Sequence, residues 1–249
     1  MPRSMREKSQ TGIYHVMLRG INQQIIFNDL EDYQKFIEIL NDCKAISGYE
    51  IYAYCLMNNH AHILLKVQKE DLSQIFKRIG VRYVHWYNWK YNRRGHLFQD
   101  RFKSEPVENE EYFLTVLRYI HQNPVKAGIT KTIDEYRYSS YNEYIEKKTN
   151  SLVDIKFALD MLGEKEFIRF NNENNENKCM EYDYSDYRIT DNDAMEIISR
   201  ESGCANIEQF LNLSIERRDN SIRIYKEMGM SIRQISRLTG VSFGVARRI

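Results

Sequence analysis

Cysteine is scarce in this chain and shows no pairing pattern. Cys43, Cys55, Cys179 and Cys204 are scattered and form no CxxC, which excludes a zinc cage and the disulfide framework of a small secreted domain. No apolar run approaches the roughly 18 residues a membrane span needs. The opening Met-Pro-Arg-Ser-Met-Arg-Glu-Lys lacks the apolar centre of a signal peptide. Charge of one sign is lacking too: 36 Lys and Arg face 35 Asp and Glu, a formal net charge of +1. Total charge therefore argues for no partner, and only its distribution along the chain can. No internal repeat is visible. These absences leave a soluble, cytoplasmic protein with no membrane partner. Its 249 residues suffice for one large domain or two smaller ones with real cores.

What is present is patterned. Residues 12–20 (GIYHVMLRG) have the β-branched and aromatic content of a strand. Asn28 or Asp29 caps an amphipathic helix with Tyr33, Phe36, Ile37, Leu40, Cys43 and Ile46 at helical spacing, closed by Gly48. A strand over 49–57 follows, then a tight Asn58-Asn59 turn, read as one with positive φ, and a return strand from His60. Asp71 opens a long helix through about Tyr91, which residues 92–95 break. Residues 96–107 read as a fourth strand. Residues 108–122 read as a third helix, stopped near Asn123 because the residue before Pro124 is pushed out of the helical region. The fold class expected is α+β: a ferredoxin-like β-α-β-β-α-β domain with helices on one face, followed by a small all-α helix-turn-helix domain. The domain limits are 1–150, a helical connector and polar linker over 151–190, and 191–249. The linker is placed at the Asn- and acid-rich stretch from Asn171 to about Thr190.

Along 60–67, period-two alternation puts His60 and His62 on one face of a strand, one step apart. Two neutral imidazoles aimed the same way can hold one divalent ion. A lone His-x-His is equally a pair of half-exposed strand histidines. In the third helix Tyr119 and Asn123 are four residues apart and share a face. A phenol is a poor nucleophile unless its target is polarised or its proton is removed. An ion on His60 and His62 would polarise a phosphate oxygen, and the Asn123 amide could complete its protein ligands. Read singly, Tyr119 could be a core aromatic and Asn123 a helix cap. A partner is suggested between Asp71 and Lys103, where Lys77, Arg78, Arg82, Lys90, Arg93, Arg94, Arg101 and Lys103 outnumber Asp71 and Asp100. Tyr83, His85, Trp86, Tyr87, Trp89, Tyr91, His96 and Phe98 are interleaved with them, and cations with flat rings suit single-stranded nucleic acid. Trp86 and Trp89 are expected to serve the core.

Residues 12–129 resemble the HUH-type single-tyrosine transposases, and most the REP-associated tyrosine transposase branch. The resemblance rests on CLMNNHAHILL, GHLFQDRFKSEPV and LRYIHQNPVKAGI, in that order, and covers about half of the chain. It implies a ferredoxin-like nuclease that binds single-stranded and hairpin DNA and uses Mg²⁺ or Mn²⁺. By the same resemblance His60 and His62 match the family's metal histidines and Tyr119 its nucleophile. Asn123 matches a third metal ligand, where many members carry Gln. The implied reaction leaves a 5′-phosphotyrosine and a free 3′-hydroxyl and then rejoins the strand to another end. The DNA contacts expected in this half are Lys77, Arg78, Arg82, Arg93, Arg94, Arg101 and Lys103.

The last segment adds a second pattern. Ser231 caps a short helix that Gly240 ends, and Ser242 caps another over 243–249. This is a helix-turn-helix spacing, similar to the DNA-binding domain of bacterial replication initiators. Eight basic residues stand against three acidic ones between Ile215 and Ile249. Arg233, Arg237, Arg247 and Arg248 are the expected contacts to double-stranded DNA, and a homodimer is a further candidate assembly. Three functions fit the sequence: a strand-transfer enzyme, a replication- or conjugation-type nickase, and a non-catalytic DNA-binding regulator. Nickases usually spread three histidines over the metal site, and only His60 and His62 pair here. The intact combination of His60, His62, Tyr119 and Asn123 argues against the regulator.

Overall fold

The architecture is described from a computed structural model covering residues 6–147, 151–175, 179–180, 191–204 and 206–249. The chain divides into two compact units, Met1–Glu181 and Tyr182–Ile249. Much of the expected polar linker lies outside the described residues.

The first unit is built on β1 (Ile13–Arg19), α1 (Leu30–Ser47), β2 (Glu50–Met57), β3 (His60–Lys66), α2 (Leu72–Lys90) and β4 (Lys103–Pro106). The sheet order is β2-β3-β1-β4, and every neighbouring pair is antiparallel. β1 and β2 therefore run parallel, as do β3 and β4, and each parallel pair needs a helical crossover. Two right-handed crossovers place both helices on one face, where α1 and α2 pack on each other. This is the ferredoxin-like arrangement. Asp29 is the cap of α1, and Gly48 ends it in the left-handed region at φ 70°. Lys90, at the end of α2, reaches the carboxylates of Asp29, Glu31 and Asp32 at 2.7–2.9 Å and so holds the start of α1.

α3 (Glu110–Lys126) lies against β2 and β3. It does not stop before Pro124 but continues for three residues, and Ala127 N–H donates to Asn123 O at 2.9 Å. A proline this near the end removes only one helical hydrogen bond, and burial of Tyr119 to Pro124 outweighs that loss. The fourth strand is also shorter than expected. Leu97 and Gln99 bond to the end of β1 through Ile21 and Arg19, but regular pairing resumes only at Lys103. The Asn58-Asn59 turn forms, yet neither residue has positive φ. Its carbonyls are instead bound from outside by the amides of Gly20, Ile26 and Phe27. Gly20 permits that approach, because a Cβ there would meet Gln24 O at 2.1 Å.

Residues 131–147 pack back on β2 through α4 (Tyr141–Glu146), with Tyr144 Oη donating to Tyr52 O and Tyr136 Oη to Leu56 O. The expected connector forms α5 (Lys156–Leu162) and α6 (Glu164–Asn172) and buries Leu152, Val153, Ala158 and Phe167 in the core of the first unit. Trp89 does not join that core and stays 76% exposed, while Trp86 packs partly against it.

Among its described residues the second unit is all-α: α7 (Asp191–Ser202), α8 (Ile207–Leu211), α9 (Ile215–Glu227), α10 (Ile232–Thr239) and α11 (Phe243–Arg248). Ser231 and Ser242 cap α10 and α11, and Gly240 takes φ 75° between them. Phe210, Ile222, Tyr225 and Ile235 form its core.

Candidate active site

β3 is an inner strand of the sheet, so Ala61 to Leu65 are buried on both faces, His60 and Lys66 at its ends are partly exposed, and the pleat fixes the direction of each. His60 and His62 point to the side taken by α3, their ring centroids 5.1 Å apart and nearly perpendicular. The Tyr119 ring stands edge-on to His62 at 5.6 Å. Tyr119 is 2% exposed, and the Lys126 ammonium lies 5.3 Å from its ring centroid. Asn123 follows one helical turn later, on the same side of α3, and is buried. The unbroken helix through Pro124 is what gives Asn123 this place.

A third imidazole enters from β1. His15 is fully buried, and its Nε2 lies 2.9 Å from His62 Nδ1. Its Nδ1 lies 2.7 Å from Glu105 Oε1 on β4. Nothing in the local pattern of GIYHVML or KSEP marks these two residues. His15 meets His62, and Glu105 meets His15, only because β1 pairs with both β3 and β4, a register that local periodicity does not reveal. Burial, with His60 and His15 nearby, holds His62 well below the usual imidazole range, so it is a neutral ring at neutral pH.

Among the described residues no group of three His, Cys, Asp or Glu side chains could hold a metal ion. The expected set is His60, His62 and Asn123, two imidazoles and one amide oxygen, of which the fold brings the two imidazoles side by side. That donor set suits a borderline-hard divalent ion that keeps positions for water or phosphate oxygen. His62 fits the role: its Nδ1 is engaged by His15, and Nε2 is the nitrogen an ion would meet.

The expected DNA contacts are divided by the fold. Lys77 and Arg101 line a groove of about 790 Å³ between α2 and residues 96–102, together with Val81, His85 and Phe98. This groove is separate from the histidine–tyrosine cluster. Arg78 turns away from it and grips Glu70 through two bonds of 2.5 and 2.8 Å, while also reaching Ser47 Oγ. Arg82 leans to Asp42 at 3.6 Å. Arg93 caps back on His96 O and covers the Tyr87 ring. Arg94 is exposed, and Lys103 lies on β4. In the second unit Arg233, Arg247 and Arg248 are exposed on α10 and α11, whereas Arg237 binds Asp191 at 2.5 and 2.7 Å.

Comparison with known proteins places the chain. The family described as "Transposase IS200 like" matches residues 8–123. A REP-associated tyrosine transposase of Escherichia coli is 23% identical over 137 residues, covering 54% of this chain and 78% of that protein. A putative REP-associated tyrosine transposase of Haemophilus influenzae is 26% identical over 106 residues, or 38% of this chain and 60% of that protein. A solved structure of a REP-associated tyrosine transposase bound to a REP hairpin superposes with a TM-score of 0.53 at 18% identity. It covers 62% of this chain and 94% of that one, a likeness of fold.

Proposed function

We propose that this chain, which belongs to the IS200-like transposase family through residues 8–123, cleaves and rejoins single-stranded or hairpin DNA with Tyr119 as nucleophile. The observation that carries this reading is the meeting of the Tyr119 ring with His62, itself beside His60, across the junction of α3 and β3. A phenol, two imidazoles and a nearby amide suit phosphoryl transfer. The hairpin bound to the solved relative supports hairpin DNA as the substrate class.

In the reaction the Tyr119 Oη–phosphorus bond forms and the bond to the 3′-oxygen breaks, leaving a 5′-phosphotyrosine. The phenolic proton is lost, and one proton is gained by the departing 3′-hydroxyl, so the step is neutral in protons. Rejoining runs the same exchange backwards with a different 3′-end. His60, His62 and Asn123 would hold Mg²⁺ or Mn²⁺, which when bound polarises a phosphate oxygen and offsets the charge that develops on it. The neutral state of His62 keeps a lone pair for that purpose. Lys126, over the Tyr119 ring, adds a positive charge near the approaching phosphate. Since Tyr119 is buried, the phosphodiester must displace what covers the phenol before attack. The exposed arginines of α10 and α11 are proposed to contact double-stranded DNA beside the cleavage site.

Labelled hairpin DNA tests the assignment. The wild type should form a covalent adduct that survives denaturation, and Tyr119→Phe should form none. His60→Ala, His62→Ala and EDTA should each abolish cleavage while DNA binding persists, because phosphate contacts supply the affinity. An adduct that persists in Tyr119→Phe, or full cleavage in EDTA, would overturn the reading.

A further inference from the structure

His15 and Glu105 lie outside the set of residues that would touch DNA or ion, yet both are joined to it by short hydrogen bonds. A carboxylate only accepts, so the 2.7 Å contact requires the proton of His15 on Nδ1. A neutral His15 then presents a lone pair at Nε2. With that single proton on His15, the 2.9 Å contact between Nε2 and His62 Nδ1 makes His62 the donor from Nδ1. A neutral imidazole carries one N–H, so His62 Nε2 is left bare. We propose that Glu105 and His15 form a relay that fixes His62 in the tautomer whose Nε2 can bind a divalent ion, which makes both of them positioning residues. The inference rests on the proposed role of His62.

The relay is rigid for reasons visible in the fold. His15 and Glu105 are direct partners in the β1–β4 register, and His15 has no exposed surface. Glu105 is held in turn by the Met180 amide at 3.2 Å and by the Tyr112 hydroxyl. The two imidazoles are stacked with centroids 5.2 Å apart, so neither ring can turn without losing its partner. Histidines that bind metals usually donate their second nitrogen to a carboxylate or carbonyl. Here β1 lies between β3 and β4, so an intervening imidazole carries the carboxylate's influence across one strand. Without the relay His62 would exchange between tautomers, and the form with a proton on Nε2 cannot bind an ion.

The wild-type tautomer can be read directly from two-bond ¹H–¹⁵N correlations on the full chain without metal. His62 should be protonated at Nδ1 and bare at Nε2. Titration with Mn²⁺ should then show Glu105→Ala and His15→Phe binding about 10–100-fold more weakly than wild type. Glu105→Gln should recover part of the loss, since its amide oxygen still accepts from His15. Melting curves on each variant identify any that fail to fold, and the wild-type spectrum does not depend on them. A proton on His62 Nε2 in the wild type, or unchanged Mn²⁺ affinity and tautomer in a folded Glu105→Ala, would overturn the relay alone. Wild-type Mn²⁺ binding that is absent, or that survives His62→Ala, would overturn the proposed metal site and the relay with it.

Discussion

His121 Nδ1 lies 2.8 Å from Asn171 Oδ1 while its Nε2 lies 3.0 Å from Ser140 Oγ. One buried imidazole on the helix that carries Tyr119 thus fastens α3 to α6 and to the start of α4. Gln122 adds to the joint by donating to the carbonyls of Asn171 and Glu173.

That joint makes stability depend on pH. Burial pushes His121 down to about 4, from the ordinary 6.5 it regains when unfolded. Protons therefore favour the unfolded chain across that window. The contribution is intact above about pH 6.5 and is lost as pH falls towards 4, by of order 3 kcal/mol. His62 acts in the same direction, so the test is a difference between proteins. His121→Gln should be less stable than wild type at pH 7 and lose less stability between pH 7 and 5. Parallel denaturation curves for the two proteins would show that His121 does not govern this response.

The same contacts set where the chain can be cut. A protein ending at about residue 190 keeps α5 and α6 and should melt cooperatively. It should still form the Tyr119 adduct on a short oligonucleotide. One ending at residue 150 loses Phe157, which packs on Tyr52 and Phe113, and Phe167, which stacks on Tyr144. Its core is opened, and it should be largely unfolded or aggregated at 37 °C by circular dichroism.

The basic residues of α2 should separate into two classes. Lys77→Ala and Arg101→Ala should each flatten the salt dependence of hairpin binding by about one unit of slope. Arg78→Ala should leave that slope nearly unchanged and lower the melting temperature instead, because Arg78 holds Glu70 and Ser47. Arg78 holds the Glu70 carboxyl down to about 2. The stabilisation of this pair is therefore present above the ordinary carboxylate range and is lost as pH falls towards 2.

Gly20→Ala should be costly although no side chain is removed. The new Cβ would fall 2.1 Å from Gln24 O, in the loop that binds the Asn58-Asn59 turn ahead of His60. A loss of about 1–3 kcal/mol is expected from chemical denaturation, with Mn²⁺ binding weakened as the turn shifts.

Local pattern alone determined a good deal about this protein. Alternation along 60–66 put His60 and His62 on one face, and the four-residue step put Tyr119 and Asn123 on one side of a helix. The capping serines at 231 and 242, and the glycine at 240, marked the ends of α10 and α11. These features depend on neighbours within about one turn or one pleat, where the chain's own geometry decides. Tertiary structure decided the rest. It carried α3 through Pro124, shortened β4, drew α5 and α6 into the first core, and bound Arg78 and Arg237 to carboxylates. It also joined His15 and Glu105 to His62 from strands 47 and 43 residues away in the chain. Which strand lies beside which, and in what register, follows from burying both faces of the sheet at once, and no short stretch of sequence contains that balance.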